Sequence, residues 1–275
     1  VLPLLHLEAA KRPNVLVILA DDMGVGDVRS LNNESKIPTP NMDHLATEGL
    51  VFQDAHSASS IGALARYGMM TGRYCWRSDP TCRDVMGFDL PLIPAGRVTL
   101  GDLFKQKGYR TAYFGKWGLG LGWITRDGKP GKWDHGYNGT GESLNIDFKK
   151  PVTGGPKTLG FDYFFGIAAS LDMPPYAYIE NDITVGVPDK VTRAGGRQGL
   201  TVGGFRVMEV MPNLTQKVVR FLQDQGKKDP GEPFFLFVSL TAPHTPFVPT
   251  EQVKGLSQAG RYGDSVAMVD WSVGR

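Results

Sequence analysis

The chain is organised around residues 57–73, which read Ser57-Ala58-Ser59-Ser60-Ile61-Gly62-Ala63-Leu64-Ala65-Arg66-Tyr67-Gly68-Met69-Met70-Thr71-Gly72-Arg73. The first part of this stretch consists of small residues and the second part carries an arginine, which is typical of a loop that runs into the N-terminus of a helix. At such a terminus the free backbone N–H groups and the Arg66 guanidinium can face the same anion. The stretch therefore predicts an anion-binding turn followed by a helix.

Two predominantly apolar runs predict strands at the centre of a sheet. They span residues 15–20 and 233–240, and such runs are typical of parallel strands that are buried on both faces. The first run ends at Asp21 and Asp22, and the second is followed by Pro243-His244-Thr245-Pro246. Because open α/β sheets bind ligands at the carboxyl ends of their strands, both ends are candidate site positions.

The paired aspartates admit two interpretations. Adjacent carboxylates at the end of a buried strand are costly unless a cation neutralises them, which favours a metal site. The alternative is a solvated turn in which Asp21 and Asp22 are surface residues. The buried strand that precedes them favours the metal.

Shorter segments carry further helix and strand patterns. Apolar residues at helical spacing predict helices, and short β-branched or aromatic runs predict strands. The predicted helices lie within residues 37–49, 99–108, 212–225 and 262–275, the predicted strands are residues 51–55 and 109–114, and short edge strands are expected within 183–206. In the first helix Leu45 and Leu50 are expected on the apolar side. Residues 121–158 predict a long surface loop that faces substrate, with a plain variable loop as the alternative.

The spacing of Arg66 and Thr71-Gly72-Arg73 resembles the signature of the type I sulfatases. In that family a cysteine four residues before the arginine is converted to formylglycine, whose hydrate is the nucleophile. In this register Gly62 stands at the nucleophile position, Leu64 at the family's proline and Ala65 at its serine. Two explanations of Gly62 stay open: it is a formylglycine recorded as its parent residue, or it is a true glycine that leaves no group to attack sulfur. Leu64 favours the second, because the family's maturation machinery reads the proline.

The resemblance implies a metal site and a sulfate site. Asp21 and Asp22 match the aspartates that bind a divalent cation in this family, usually Ca²⁺, so we expect Ca²⁺ or Mg²⁺ there together with position 62. Catalytic roles are expected for Gly62, Arg66, Lys116 and His244, and contacts to the substrate's sulfate for Lys116, Ser170 and His244.

The segment Gly115–Gly120 departs from the family pattern at one position. The family reads Gly-Lys-Trp-His-Leu-Gly here, and Gly118 replaces the histidine. Loss of one proton-transfer group typically costs roughly 100- to 10,000-fold in rate. Cysteine at 62 with proline at 64 is therefore expected to restore some turnover, and Gly118→His to raise it further.

The resemblance also implies the architecture. We expect an α/β fold, an alkaline-phosphatase-like α/β/α sandwich with a mostly parallel central sheet. Residues 1–12 would be an N-terminal extension and residues 13–275 the N-terminal portion of a sulfatase catalytic domain, whose C-terminal part is absent from this chain.

The implied function is hydrolysis of a sulfuric ester in a sulfated small molecule or carbohydrate. A non-catalytic binder of sulfated glycans is a second hypothesis, supported by Gly62, Leu64 and Gly118. A phosphate-ester hydrolase of the wider superfamily with a serine or threonine nucleophile is a third, although Ser59 and Ser60 fall before the required position. The state of residue 62 separates the three.

Composition limits the other partners. The 275 residues are 41% hydrophobic, and a net charge of +2 gives no reason to expect nucleic acid. No apolar run reaches the length of about 18 residues that spans a bilayer. Residues 1–10 resemble the end of a signal peptide, which favours a secreted, periplasmic or lysosomal protein. Cys75 and Cys82 fit a local disulfide or two ordinary thiols equally well.

Overall fold

The computed structural model describes residues 12–78, 83–129, 145–228 and 231–275 of the chain. The strands in this part are β1 (Val15–Asp21), β2 (Arg110–Lys116), β3 (Tyr163–Ile167), β4 (Tyr178–Glu180), β5 (Ile183–Thr184), β6 (Lys190–Thr192), β7 (Gly199–Thr201) and β8 (Phe234–Pro243). The helices are α1 (Pro40–Glu48), α2 (Gly62–Thr71), α3 (Leu100–Gln106), α4 (Val210–Lys228) and α5 (Gly260–Val273). None of the described helices is long and apolar enough to cross a membrane.

A mostly parallel sheet forms the centre of the fold. Its order is β1-β8-β2-β3-β4-β5, and the first four of these strands run parallel while β4 and β5 are antiparallel additions. Strands β6 and β7 form a separate antiparallel pair. The parallel order brings the carboxyl ends of β1, β8 and β2 to one edge, as the sequence predicts for a ligand site.

Helices cover both faces of the sheet. Apolar side chains of α2 and α3 pack against Tyr113, Phe235 and Phe237 on one face. Side chains of α4 and α5 pack against Phe114 and Leu236 on the other. Successive residues of a strand point to opposite faces, so an unbroken apolar strand can serve both cores. The expected α/β/α sandwich is therefore present.

Strand β8 is buried on both faces as predicted, but β1 is not. Leu16 and Ile18 remain 44% and 37% exposed, whereas the alternate residues Val15, Val17 and Leu19 pack against the core. Among the described strands β1 pairs only with β8, so the helices that cover the sheet centre leave one of its faces partly open. Apolar character alone does not reveal which strand lies at the edge.

Three other sequence predictions are wrong. Residues 51–55 form no strand, and Leu45 and Leu50 are 56% and 79% exposed although α1 itself forms. Within the predicted surface loop, Trp123 is 1% exposed, and its indole N–H donates to the Gly87 carbonyl oxygen at 3.0 Å. The sequence there lacks hydrophobic periodicity because the segment has no regular secondary structure, although part of it is buried in the core. Residues 130–144 and Cys82 lie outside the described residues.

Glycines allow the central strands to approach closely near the ligand edge. Gly115 has φ +105°, and a Cβ there would lie 1.8 Å from the carbonyl oxygen of Ser239 on β8. A Cβ on Gly166 would lie 1.9 Å from the Gly115 carbonyl oxygen. No side chain fits these gaps, so both glycines are required where β2 delivers Lys116 to the site.

We predict that Gly115→Ala lowers the free energy of unfolding by about 3 kcal/mol or more, because it combines a positive φ with a backbone clash. Gly226→Ala is the matched control: Gly226 lies inside α4 with nothing within 4 Å of an added Cβ. That substitution should stabilise the protein by up to about 1 kcal/mol. Chemical denaturation measures both, and equal stability of the two variants would contradict the close approach of the strands.

Candidate active site

The candidate site lies where three parallel strands end. Asp21 is the last residue of β1, Lys116 is the last residue of β2, and His244 directly follows β8. Gly62 is the first residue of α2, which lies beside them. A cavity of 280 Å³ opens between the end of β1 and the loop before α2.

Asp21 is the centre of a buried charge cluster. Lys116 Nζ donates to Asp21 Oδ2 at 2.5 Å, and Arg66 Nη1 lies 3.6 Å from Asp21 Oδ1. All three residues are at most 5% exposed. Removing a charge from water costs several kcal/mol, so each of these groups depends on the others for its place in the interior.

The cluster shifts the pKa of both ends of its shortest ion pair. Burial favours the neutral acid at Asp21, but Lys116 and then Arg66 outweigh it and hold the pKa of this carboxyl below its ordinary value. Burial also lowers the pKa of Lys116, and the neighbouring Arg66 charge adds to that effect while Asp21 opposes it. Asp21 is thus an anion that two cations share.

Ser170 connects Lys116 to His244. The Ser170 hydroxyl oxygen accepts from Lys116 Nζ at 3.2 Å and lies 3.0 Å from His244 Nδ1. His244 Nδ1 also lies 2.6 Å from the Thr245 carbonyl oxygen, and since a carbonyl can only accept, Nδ1 carries a hydrogen. Because that hydrogen is directed to the Thr245 carbonyl, Nδ1 cannot accept from Ser170, and the Ser170 hydroxyl hydrogen remains available to another acceptor.

His244 also faces the second aspartate. Its Nε2 atom lies 3.7 Å from Asp22 Oδ2, and the Asp22 side chain is 56% exposed. The Asp22 backbone has φ +70°, a left-handed conformation that aspartate adopts more readily than most residues. The turn therefore directs Asp21 into the interior and keeps Asp22 near the mouth of the cavity.

Position 62 points at the cluster. A Cβ built on Gly62 would lie 3.1 Å from Asp21 Oδ1 and 3.2 Å from Arg66 Nη2. Both contacts are close but not prohibitive, and the backbone here has no positive φ. A side chain at residue 62 would thus project between a carboxylate and a guanidinium, at the N-terminus of the ten-residue helix α2.

Comparison with known proteins identifies the family. A family model described as Sulfatase matches residues 13–275. The chain belongs to the sulfatase family. It is 29% identical over 304 residues to N-acetylgalactosamine-6-O-sulfatase of Bacteroides thetaiotaomicron, and the match covers 96% of this chain and 55% of that protein. The chain spans about half the length of the curated relatives it matches.

Solved structures agree with this assignment. One from work on glycosaminoglycan metabolism by Bacteroides thetaiotaomicron superposes with a TM-score of 0.76 at 27% identity, covering 96% of this chain and 58% of that one. A protein of the alkaline phosphatase superfamily from Vibrio parahaemolyticus shares the fold, with a TM-score of 0.50 at 19% identity over 96% of this chain and 49% of its own. The predicted alkaline-phosphatase-like fold is confirmed.

Sulfatases generally use a formylglycine and a divalent cation, and the described residues can be tested against both. The Cβ direction at residue 62 suits a reactive side chain. For the cation, Asp21 and Asp22 offer hard oxygen ligands, but no group of three or more His, Cys, Asp or Glu residues that could hold a metal occurs in the described part of this sulfatase chain. Arg66 and Lys116 already pair with Asp21, so a divalent ion would need further oxygen ligands.

Gly118 makes room for Arg66, which the sequence did not reveal. Its φ is +60°, and a Cβ there would lie 2.8 Å from Arg66 Nη2. A histidine at 118 would strain the backbone and displace the guanidinium from Asp21. The structure therefore argues against the expectation that Gly118→His raises activity.

Tyr262 is a second site residue that sequence reasoning missed. Its hydroxyl donates to Asp27 Oδ2 at 2.5 Å and lies 3.3 Å from the Asp22 carbonyl oxygen. Asp27 in turn accepts from the Gly24 N–H at 2.7 Å. This network fastens the turn that carries Asp22 to α5. Tyr262 lies 240 residues beyond Asp22, and no local pattern marks the contact.

We predict that Asp21→Asn and Lys116→Met each lower the free energy of unfolding by about 3 to 5 kcal/mol, because each leaves a buried charge without its partner. The double variant should lose clearly less than the sum. The matched control is the exposed pair Lys105–Asp162, in which Lys105→Met should cost no more than about 1 kcal/mol. A denaturation double-mutant cycle measures the coupling, and simple additivity would show that Asp21 and Lys116 do not depend on each other.

A separate prediction concerns residue 118. Gly118→His should weaken sulfate binding relative to the parent, because Arg66 must move to admit the new side chain. Inorganic sulfate titrated by calorimetry measures the affinity, with Gly203→His as control, since Gly203 has no positive φ and only the end of the Lys190 side chain near an added Cβ. Tighter sulfate binding by the 118 variant would contradict the steric argument.

Proposed function

We propose that this chain forms the sulfate site of a sulfatase, in which a sulfuric ester is cleaved when residue 62 carries formylglycine. The observation that carries the proposal is the Cβ direction at residue 62, which places a substituent within 3.1 Å of Asp21 and 3.2 Å of Arg66. Residues 13–275 would then be the N-terminal portion of the catalytic domain. The match to N-acetylgalactosamine-6-O-sulfatase, which covers 96% of this chain but 55% of that protein, supports this interpretation.

The anion would be held by groups that come from distant parts of the chain. Arg66 and Lys116 carry positive charge, His244 offers its ring Nε2, and the Ser170 hydroxyl hydrogen is unused by its neighbours. Free N–H groups of the first turn of α2 add a positive potential beside residue 62. Fixed donors of this kind stabilise negative charge most when it increases in the transition state.

Formylglycine would supply a hydrated aldehyde as nucleophile, and a cation would supply positive charge on the sulfate oxygens. Asp21 and Asp22, with position 62, are the residues that would hold Ca²⁺ or Mg²⁺, and other oxygen ligands would have to complete the coordination. Asp21 would also keep the Arg66 and Lys116 side chains in place. His244, which lies half-buried beside Asp22 with no backbone partner at Nε2, is suited to hold or transfer a proton.

The proposed substrate is a sulfated carbohydrate. The support is the similarity to a protein named N-acetylgalactosamine-6-O-sulfatase, together with a cavity whose lining includes the hydroxyl groups of Ser57, Ser59 and Ser60, which can bind a hydroxyl-rich molecule. A secreted, periplasmic or lysosomal location accompanies this proposal, on the basis of the signal-like composition of residues 1–10.

A second function applies if Gly62 is a true glycine. The chain would then bind sulfated glycans without cleaving them, because Arg66 and Lys116 bind an anion without a nucleophile. Two observations favour it. Leu64, at the family's proline position, is 3% exposed and packs in the core. The Arg66 guanidinium fills the volume that a side chain at residue 118 would occupy. Serine chemistry has less support, since the Ser59 hydroxyl already accepts from the Ile61 N–H at 3.1 Å.

Two measurements test the proposal together: the intact mass of the protein, which shows whether residue 62 is modified, and the rate of 4-nitrophenyl sulfate hydrolysis. Protein with an unmodified glycine should bind sulfate and release no nitrophenol. Gly62→Cys with Leu64→Pro, produced in a host that makes formylglycine, should gain turnover, and the same pair with Arg66→Gln should lose it by about 100-fold or more. Turnover by unmodified Gly62 protein would place the nucleophile elsewhere, and covalent phosphate on Ser60 would favour the phosphatase alternative.

A further inference from the structure

An exposed aromatic pair stands at the far end of α2 from the candidate site. The rings of Tyr74 and Trp76 stack with centroids 4.2 Å apart and planes 10° from parallel. Their side chains nevertheless remain 48% and 55% exposed. Full burial of a large apolar side chain contributes about 1.5–3 kcal/mol, so a stack left in water gives up much of that stabilisation. An exposed patch of this kind is typical of an interaction surface.

The turn that carries the pair is anchored from below. Cys75, between the two aromatic residues, is 5% exposed and belongs to the core. Ser78 is tied to the buried Tyr67 through their hydroxyl groups, which lie 2.5 Å apart. The aromatic rings are therefore displayed on a fixed support, which reduces the entropy lost when a ligand binds.

Two arginines flank the stack. Arg73 and Arg77 make no side-chain hydrogen bond or ion pair within the described residues, and the same holds for the Tyr74 hydroxyl and the Trp76 indole N–H. The sequence from residue 55 to residue 78 contains three arginines and no acidic residue. Among the described residues this surface thus combines two arginines that have no acidic partner, unused donors and an apolar ring face.

These features match the chemistry of a sulfated sugar chain. Guanidinium groups bind sulfate through paired hydrogen bonds, and the C–H face of a pyranose ring is an apolar surface that suits an indole face. The net charge of the whole chain is only +2, so the two arginines are a local feature and not part of a generally basic surface. We propose that Arg73, Tyr74, Trp76 and Arg77 form a second binding surface for sulfated polysaccharide.

This surface is too far from residue 62 to hold the same sulfate group. Helix α2 has ten residues between the two, which corresponds to about 15 Å. A polymer that contacts the stack would therefore be tethered, and its other sulfate groups would reach the cavity at a raised effective concentration. The choice of a sulfated glycan rests on the proposed function, whereas the existence of the surface does not.

Calorimetry and affinity electrophoresis with chondroitin 6-sulfate, unsulfated chondroitin and N-acetylgalactosamine 6-sulfate test this inference. Trp76→Ala should weaken polymer binding on the order of tenfold. Arg73→Gln with Arg77→Gln should weaken it similarly and lower the slope of log affinity against log salt by roughly one to two. The monosaccharide should bind all of these variants as it binds the parent, and unsulfated chondroitin should bind weakly.

The control variant is Arg206→Gln with Arg220→Gln, which removes the same net charge from exposed positions on and before α4. If it weakens polymer binding as much as the Arg73 and Arg77 pair, non-specific charge explains the result and the surface is refuted. Unchanged polymer affinity in the Trp76 variant, or a change in self-association alone by sedimentation, also overturns it. Ser170→Ala separates the two proposals, because it removes a proposed sulfate donor without leaving a buried charge unpaired: it should reduce monosaccharide binding while the effect of Trp76→Ala on the polymer persists.

Discussion

The buried Asp21 carboxylate is the group on which the site depends. It lies at the end of β1 and binds Lys116 from β2, while Arg66 from α2 reaches its other oxygen. A single anion thereby fixes the side chains of three elements that the chain brings together from residues 21, 66 and 116. Without it, two cations would lie close together in the interior with no compensation.

The same arrangement explains the glycines around the site. Gly115 lets β2 pass close to β8, and Gly118 leaves the volume that the Arg66 guanidinium occupies. Gly62 differs from both, because its backbone is ordinary and an added Cβ would meet only side-chain atoms. Two of the three glycines are therefore required by the backbone or by a neighbour, and the third is a position at which a side chain fits.

The buried charge cluster is also connected to the residues at the surface of the site. Ser170 lies within hydrogen-bond distance of both Lys116 and His244, and His244 Nε2 lies 3.7 Å from the exposed Asp22, so the interior cluster is connected to the mouth of the cavity. Tyr262 holds the turn of Asp22 from the opposite side. The result is a set of donors that is preorganised before any anion arrives, which is the condition for strong binding of developing charge.

Most of the helices and strands, and the charged groups of the site, could be predicted from the amino-acid sequence, although the strand expected at residues 51–55 does not form. Residues 233–240, the helix after residue 61 and the end of β1 could be predicted because local periodicity and turn chemistry specify them. The solvent exposure of a segment could not be predicted in the same way, because exposure depends on neighbours that are distant in sequence. Leu16 and Leu50 are exposed and Trp123 is buried, contrary to the sequence-based expectation. Only the tertiary structure decided that Asp21 pairs with Lys116, that Arg66 fills the space at Gly118 and that Tyr262 supports Asp22. These contacts join residues 52 to 240 positions apart, and no local pattern records which distant side chain will occupy a given volume.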